Sequence, residues 1–136
     1  MKVLVVEDDF TSRRLLQKLL APYGACDVAI NGREAVEAFT RAIEAADPYD
    51  LVCLDIMMPE LDGMEALKLM RDKEKFAKIK PSNEAKIIMT TALDSPKDII
   101  EAYYSGGCTD YLVKPIDTKK LLTLLRDYGL IEDTTT

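Results

Sequence analysis

Leu51-Val52-Cys53-Leu54-Asp55-Ile56-Met57-Met58-Pro59-Glu60-Leu61-Asp62-Gly63 is the stretch on which the reading of the fold turns. An unbroken apolar run ends in one carboxylate and passes into a proline, acids and a glycine. Strands covered on both faces read as continuous apolar runs rather than alternating ones, and the Pro59 to Gly63 segment is turn chemistry. Val3-Leu4-Val5-Val6, ending at Glu7-Asp8-Asp9, and Ile87-Ile88-Met89, ending at Thr90-Thr91-Ala92, have the same character. The run Ala25 to Ile30 carries Asp27, as an edge strand can. A last run ends at Lys114-Pro115, so strands are predicted at about 2–6, 25–30, 50–54, 86–90 and 109–113.

Helical periods fill the intervals. Leu15, Leu16, Leu19 and Leu20 share a face over about 10–22; Val36, Phe39 and Ile43 over about 31–46; Met64, Leu67 and Met70 over about 62–73. Ile99, Ala102 and Tyr103 mark a fourth helix, and Leu121, Leu122, Leu125 and Tyr128 a fifth. Asn31 and Ser95 are placed as N-caps, with Pro96 at a first helical position. Strands alternating with helices give an α/β fold, (βα)₅, with a mostly parallel sheet and helices on both faces. The polar stretch Lys73 to Ala85 reads as a surface loop, with room for an extra helical turn.

The 136 residues suffice for one domain, expected over 1–130 with a short polar tail at 131–136. A net charge of −6 argues against a surface built for nucleic-acid phosphates. No histidine is present, which excludes Ser-His-Asp and Cys-His catalysis and His-ligated zinc. Cys26, Cys53 and Cys108 lack C-x-x-C spacing and read as thiols of a reducing compartment. No apolar run resembles a signal peptide or approaches a membrane span. The expected location is therefore cytoplasmic, without membrane insertion.

In open α/β sheets, ligands bind beyond the carboxyl ends of the strands. Those ends carry Glu7-Asp8-Asp9, Asp55, Thr90-Thr91 and Lys114. Oxygen ligands alone suit Mg²⁺, with Mn²⁺ a substitute. A carboxylate can be a nucleophile toward phosphorus, and a cation with an ammonium would offset the repulsion between two anions. These residue types are complementary to phosphoryl transfer onto a carboxylate.

The blocks Val5-Val6-Glu7-Asp8-Asp9, Leu54 to Gly63, Met89-Thr90-Thr91-Ala92 and Tyr111-Leu112-Val113-Lys114-Pro115 resemble, in the same order, the signature blocks of CheY-like receiver domains of response regulators. The resemblance implies a flavodoxin-like three-layer sandwich with strand order 2-1-3-4-5, the order that general fold rules already attach to this family. It implies Asp55 as phosphoacceptor, Asp8 as a direct Mg²⁺ ligand and Glu7 as one acting through water. It also implies a metal contact from the Met57 backbone carbonyl, Thr91 and Tyr111 as switch residues, Lys114 as phosphate-binding, and a cis Lys114-Pro115 bond. Thr90 reads as an ordinary strand threonine, and Asp9 as a helix N-terminal acid.

The implied function is that of a two-component signal transduction response regulator. A histidine kinase or phosphotransfer protein would supply the phosphoryl group, and the face of helix four, strand five and helix five would bind an unknown output protein. With no output domain expected after the fifth helix, the chain would be a signalling switch rather than an enzyme. Ile100 and Tyr104 lie beside the fourth helical stripe, either as partner surface or as single exposed apolar residues. A small Mg²⁺-dependent phosphatase with an Asp nucleophile is an alternative. Such families place a second Asp two residues on, where this chain has Met57. A receiver-like module that is never phosphorylated is another. A flavodoxin-type cofactor protein would need a phosphate-cradling loop after strand one. Met57 and Leu93 offer no group to orient water, so self-hydrolysis is expected to be slow.

Overall fold

The computed structural model describes residues 1–58, 60–92 and 95–132. Five parallel strands, β1 (Lys2–Val6), β2 (Ala25–Ala29), β3 (Leu51–Leu54), β4 (Lys86–Thr91) and β5 (Asp110–Val113), form one sheet in the order 2-1-3-4-5. The helices are α1 (Phe10–Leu20), α2 (Gly32–Glu44), α3 (Gly63–Phe76), α4 (Pro96–Ile100) and α5 (Thr118–Asp127). Leu16 and Leu20 of α1 and Leu121 and Leu125 of α5 bury against Val3, Val5, Cys53 and Ile88 on one sheet face. Phe39 of α2 and Leu67 and Met70 of α3 cover Leu4, Val6, Leu54 and Met89 on the other. Central strands covered on both sides account for the uninterrupted apolar runs, and the strand that carries Asp27 lies at an edge.

Side chains close the helix starts where the sequence offers them. Asn31 Oδ1 accepts from the Glu34 amide at 2.8 Å, and the Ser95 hydroxyl from the Asp98 amide at 3.2 Å with Pro96 following. Asp9 caps α1 by accepting from the Ser12 amide at 2.8 Å, which holds its carboxyl below the usual range. Asp62 accepts from the Glu65 amide at 2.9 Å and starts α3. Each satisfies a backbone donor that the first turn leaves free.

Four local expectations need correction. The first helix gives way after Leu20 to a 3₁₀ turn, Ala21–Tyr23, where Pro22 lacks the N–H that would continue the ladder. Leu15 is exposed, because the apolar stripe of α1 is narrower than its leucines suggest. The fourth helix is α-helical only to Ile100, then widens into a π-turn, Glu101–Gly106, closed by Gly107 at φ 79°. The stretch Lys73 to Ala85 is more than a surface loop. Helix α3 continues to Phe76 and Glu74 is buried, while the 3₁₀ turn Pro81–Asn83 is the extra helical turn for which the sequence left room. Glu74 accepts from the Ala85 amide and from Arg71, both at 2.7 Å, while Arg71 also donates to the carbonyls of Ala85 and Gly107 at 2.9 Å. Burial pushes the Glu74 carboxyl up, against the pull of Arg71.

Strand β5 has its own fastening. Asp110 accepts the hydroxyls of Tyr103 at 2.9 Å and Tyr128 at 2.7 Å, one from the π-turn and one from the end of α5. The Tyr128 phenol, desolvated and hydrogen-bonded to that carboxylate, is pushed up to about 12. Leu130 and Ile131 pack on the α1–α5 side of the core, past the last helix. The end of the polar tail, residues 133–136, and Leu93 lie outside the described residues. Among the described residues no helix is long and apolar enough to cross a membrane.

Candidate active site

Parallel pairing aligns Val6 with Leu54 and Leu54 with Met89. One residue further on, Glu7, Asp55 and Thr90 stand in one row across β1, β3 and β4. Side chains alternate between sheet faces, and Val5, Cys53, Ile88 and Leu112 all pack on the α1–α5 side. Glu7, Asp55, Thr90 and Lys114 therefore leave the sheet on that same side. Glu7 and Thr90 are wholly buried, Asp55 nearly so, and Asp8 is exposed.

The Lys114 ammonium closes the row. It lies 2.7 Å from Glu7 Oε2 and 3.3 Å from Asp55 Oδ2. Its own amide donates to the Thr91 carbonyl at 2.8 Å, and the Lys114–Pro115 bond that follows is cis. Burial raises the affinity of the Glu7 carboxyl for its proton; the Lys114 hydrogen bond works against this and the Asp55 charge adds to it. Burial disfavours the Lys114 ammonium, but its bonds to Glu7 and the charge of Asp55 outweigh that and hold it firmly protonated.

One oxygen each from Glu7, Asp8 and Asp55 lie within 4.8 Å of one another. Two oxygens on opposite sides of a bound Mg²⁺ are about 4.2 Å apart, so the set has the size and hard-oxygen chemistry of a magnesium site. An open cavity of about 450 Å³, lined by Asp8, Ile56, Met57, Met58 and Asp62, leads to it. The Met57 amide donates to Asp55 Oδ1 at 3.2 Å while its side chain is exposed. Gly63 fixes the loop from below. Its amide donates to the Ile56 carbonyl at 2.8 Å, and an added Cβ would meet the Asp55 carbonyl oxygen at 2.1 Å.

Glu7, Asp8, Asp55 and Lys114 thus come together. Thr91 is buried at the end of β4 on the opposite sheet face, the side of Met89 and α3, and Tyr111 packs half-buried on that side as well. Thr90, which reads in the sequence as an ordinary strand threonine, shares the row of Asp55, and the Arg13 guanidinium, absent from the sequence reading, donates to the Glu7 carbonyl at 3.1 Å. Counting alternation back from Asp55 and Lys114 gives the face of Thr90 once the strand register is known; nothing in the sequence signals the Arg13 bond.

A family model described as the response regulator receiver domain matches residues 3–126. The chain is 39% identical over 127 residues to hybrid signal transduction histidine kinase B of Dictyostelium discoideum, covering 89% of this chain and 6% of that protein. It is 35% identical over 126 residues to chemotaxis protein CheY of Thermotoga maritima, covering 91% and 93%. The chain spans about half or less of the length of several other relatives. The CheX–CheY–BeF₃–Mg²⁺ complex from Borrelia burgdorferi contains a chain that superposes with a TM-score of 0.79 at 27% identity, over 95% of this chain and 89% of that one. The co-crystal structure of the Saccharomyces cerevisiae phosphotransfer protein Ypd1 with the receiver domain of Ssk1 contains one with a TM-score of 0.79 at 30% identity, over 98% and 94%.

Proposed function

This chain belongs to the response regulator receiver domain family, and from that premise we propose that Asp55 is its phosphoacceptor. The observation that carries the assignment is a nearly buried carboxylate held between a lysine ammonium and two further acids, beside an open cavity. An Asp55 Oδ attacks phosphorus, the bond from phosphorus to the donor atom breaks, and the donor leaves with the electron pair. Lys114 neutralises charge on the transferring group. Asp8, Asp55 and Glu7, with the Met57 carbonyl, would hold Mg²⁺ or Mn²⁺, which supplies charge neutralisation at the phosphoryl oxygens. The magnesium and BeF₃ in the Borrelia complex support that ligand choice.

The donor is a histidine kinase or a phosphotransfer protein, since the chain has no histidine to donate from; the kinase relative and the Ypd1 complex are in keeping with this. Thr91 and Tyr111 relay the change to the face of α4, β5 and α5, where Ile100, Tyr104 and Val113 are exposed for an output partner. The site works in the cytoplasm as a switch that catalyses only its own phosphorylation and dephosphorylation. The exposed Met57 side chain offers no group to orient water, so the phosphorylated form is long-lived. Intact-mass spectrometry after acetyl phosphate and Mg²⁺ tests the reading. One phosphoryl group per chain, lost in Asp55→Asn, is expected. Rapid multiple turnover would favour a phosphatase, and no uptake a receiver-like module.

A further inference from the structure

Thr90 is the one row member without a role in that reading. Its side chain is wholly buried, and its hydroxyl has no hydrogen-bond partner among the described residues. Leaving a buried hydroxyl unpaired costs about 1–3 kcal/mol. A valine of the same shape would fill the position without that cost, as Val3 and Val5 do on the same face. Residue Thr90 stands next to Asp55 in the row, where facing residues of neighbouring strands have backbones about 4.8 Å apart. That spacing is within reach of a threonine hydroxyl and an aspartate carboxylate.

We infer that Thr90 is a positioning residue for phosphoryl transfer, its hydroxyl donating to the Asp55 oxygen that Lys114 releases. The inference rests on Asp55 being the phosphoacceptor. In the resting site Lys114 occupies that oxygen from 3.3 Å, a long contact beside its 2.7 Å bond to Glu7. As the phosphoryl group arrives, negative charge moves outward onto its oxygens and the ammonium follows it. The carboxyl oxygen left behind then needs a donor, and Thr90 is the unpaired hydroxyl on its own sheet face. An interaction absent at rest and made during transfer lowers the barrier without tightening the ground state.

Removing the hydroxyl should therefore move stability and rate in opposite directions. Thr90→Val is expected to melt no lower than the wild type, to take up phosphate from acetyl phosphate and Mg²⁺ about ten-fold more slowly, and to need the same donor concentration for half its maximal rate. Thr90→Ser, which keeps the hydroxyl, should recover most of the rate. A Thr90→Val protein phosphorylated at the wild-type rate overturns the inference. So does one that melts lower, because the hydroxyl would then be paired at rest, and so does a Thr90→Ser protein as slow as Thr90→Val. Wild-type protein that takes up no phosphate would instead defeat the assignment of Asp55.

Discussion

The Lys114 ammonium lies closer to Glu7, at 2.7 Å, than to Asp55, at 3.3 Å. Glu7 is the more deeply buried acid, so its charge depends most on that partner. Replacing Lys114 with Met keeps the side-chain length and removes the charge. Glu7 is then buried without a cation, which should lower stability by about 2 kcal/mol at neutral pH, less than for a fully buried pair because Lys114 is partly solvated. A carboxyl whose folded pKa is raised binds its proton more tightly when folded, so its penalty grows as pH rises from the ordinary glutamate value. The Lys114→Met deficit should shrink toward acid pH. Urea midpoints across pH measure it, and a deficit independent of pH would contradict the assignment.

Gly63 touches backbone that no side-chain movement can relieve. A Cβ there would lie 2.1 Å from the Asp55 carbonyl oxygen and 2.6 Å from the Ile56 Cα. Gly63→Ala should destabilise the fold by about 3 kcal/mol or more and slow phosphate uptake in whatever fraction still folds. Thermal melting and intact mass on the same sample would check both. Wild-type melting would mean the α3 start is freer than this packing allows.

Glu74 gives a second pH signature, away from the acid cluster. Its carboxyl is raised by burial, with Arg71 pulling it back only in part. Stability should therefore fall as pH rises from about 4.3, the ordinary glutamate value, through the raised folded value. Glu74→Gln cannot ionise, so the difference in denaturant midpoint between variant and wild type should change with pH across that window. A constant difference would show that Glu74 titrates normally.

The three thiols should separate by reactivity. Cys53 is wholly buried and pushed up to about 12, Cys108 is buried and raised to about 11, and Cys26 is partly exposed with a smaller rise. Only the thiolate reacts. A maleimide should label Cys26 first in the native protein, and Cys53 and Cys108 at the rate of unfolding. Peptide mapping after timed labelling reads this directly; early labelling of Cys53 would contradict its place in the core.

The parts legible in the sequence were those set by repeated, local chemistry. Apolar runs ending in Asp55 and Glu7 gave the central strands, and Asn31 and Ser95 gave helix starts, because capping involves residues only a few positions apart. The acid–lysine cluster was legible because strand ends converge in such sheets. The sheet face of Thr90 was not legible because it depends on register between strands. The Arg71–Glu74 pair was missed because a charged helix residue reads as solvated until its partners, at Ala85 and Gly107, are known. The π-turn after Ile100 was not legible either, since its residues also satisfy an α-helical period.

Strand β5 is anchored at its two ends by bonds of different kinds. At Asp110 two phenols grip one carboxylate, whereas at Lys114 the hold is the attraction of an ammonium for acids. Chemistry that alters charge loosens the second grip and leaves the first intact. Between the two grips the backbone stays paired with β4, from Asp110 beside Ile88 to Val113 beside Thr91, and the Lys114 amide keeps its bond to the Thr91 carbonyl. A small electrical event at one rim of the sheet should therefore move the Lys114 side chain first and leave the Asp110 end where it is.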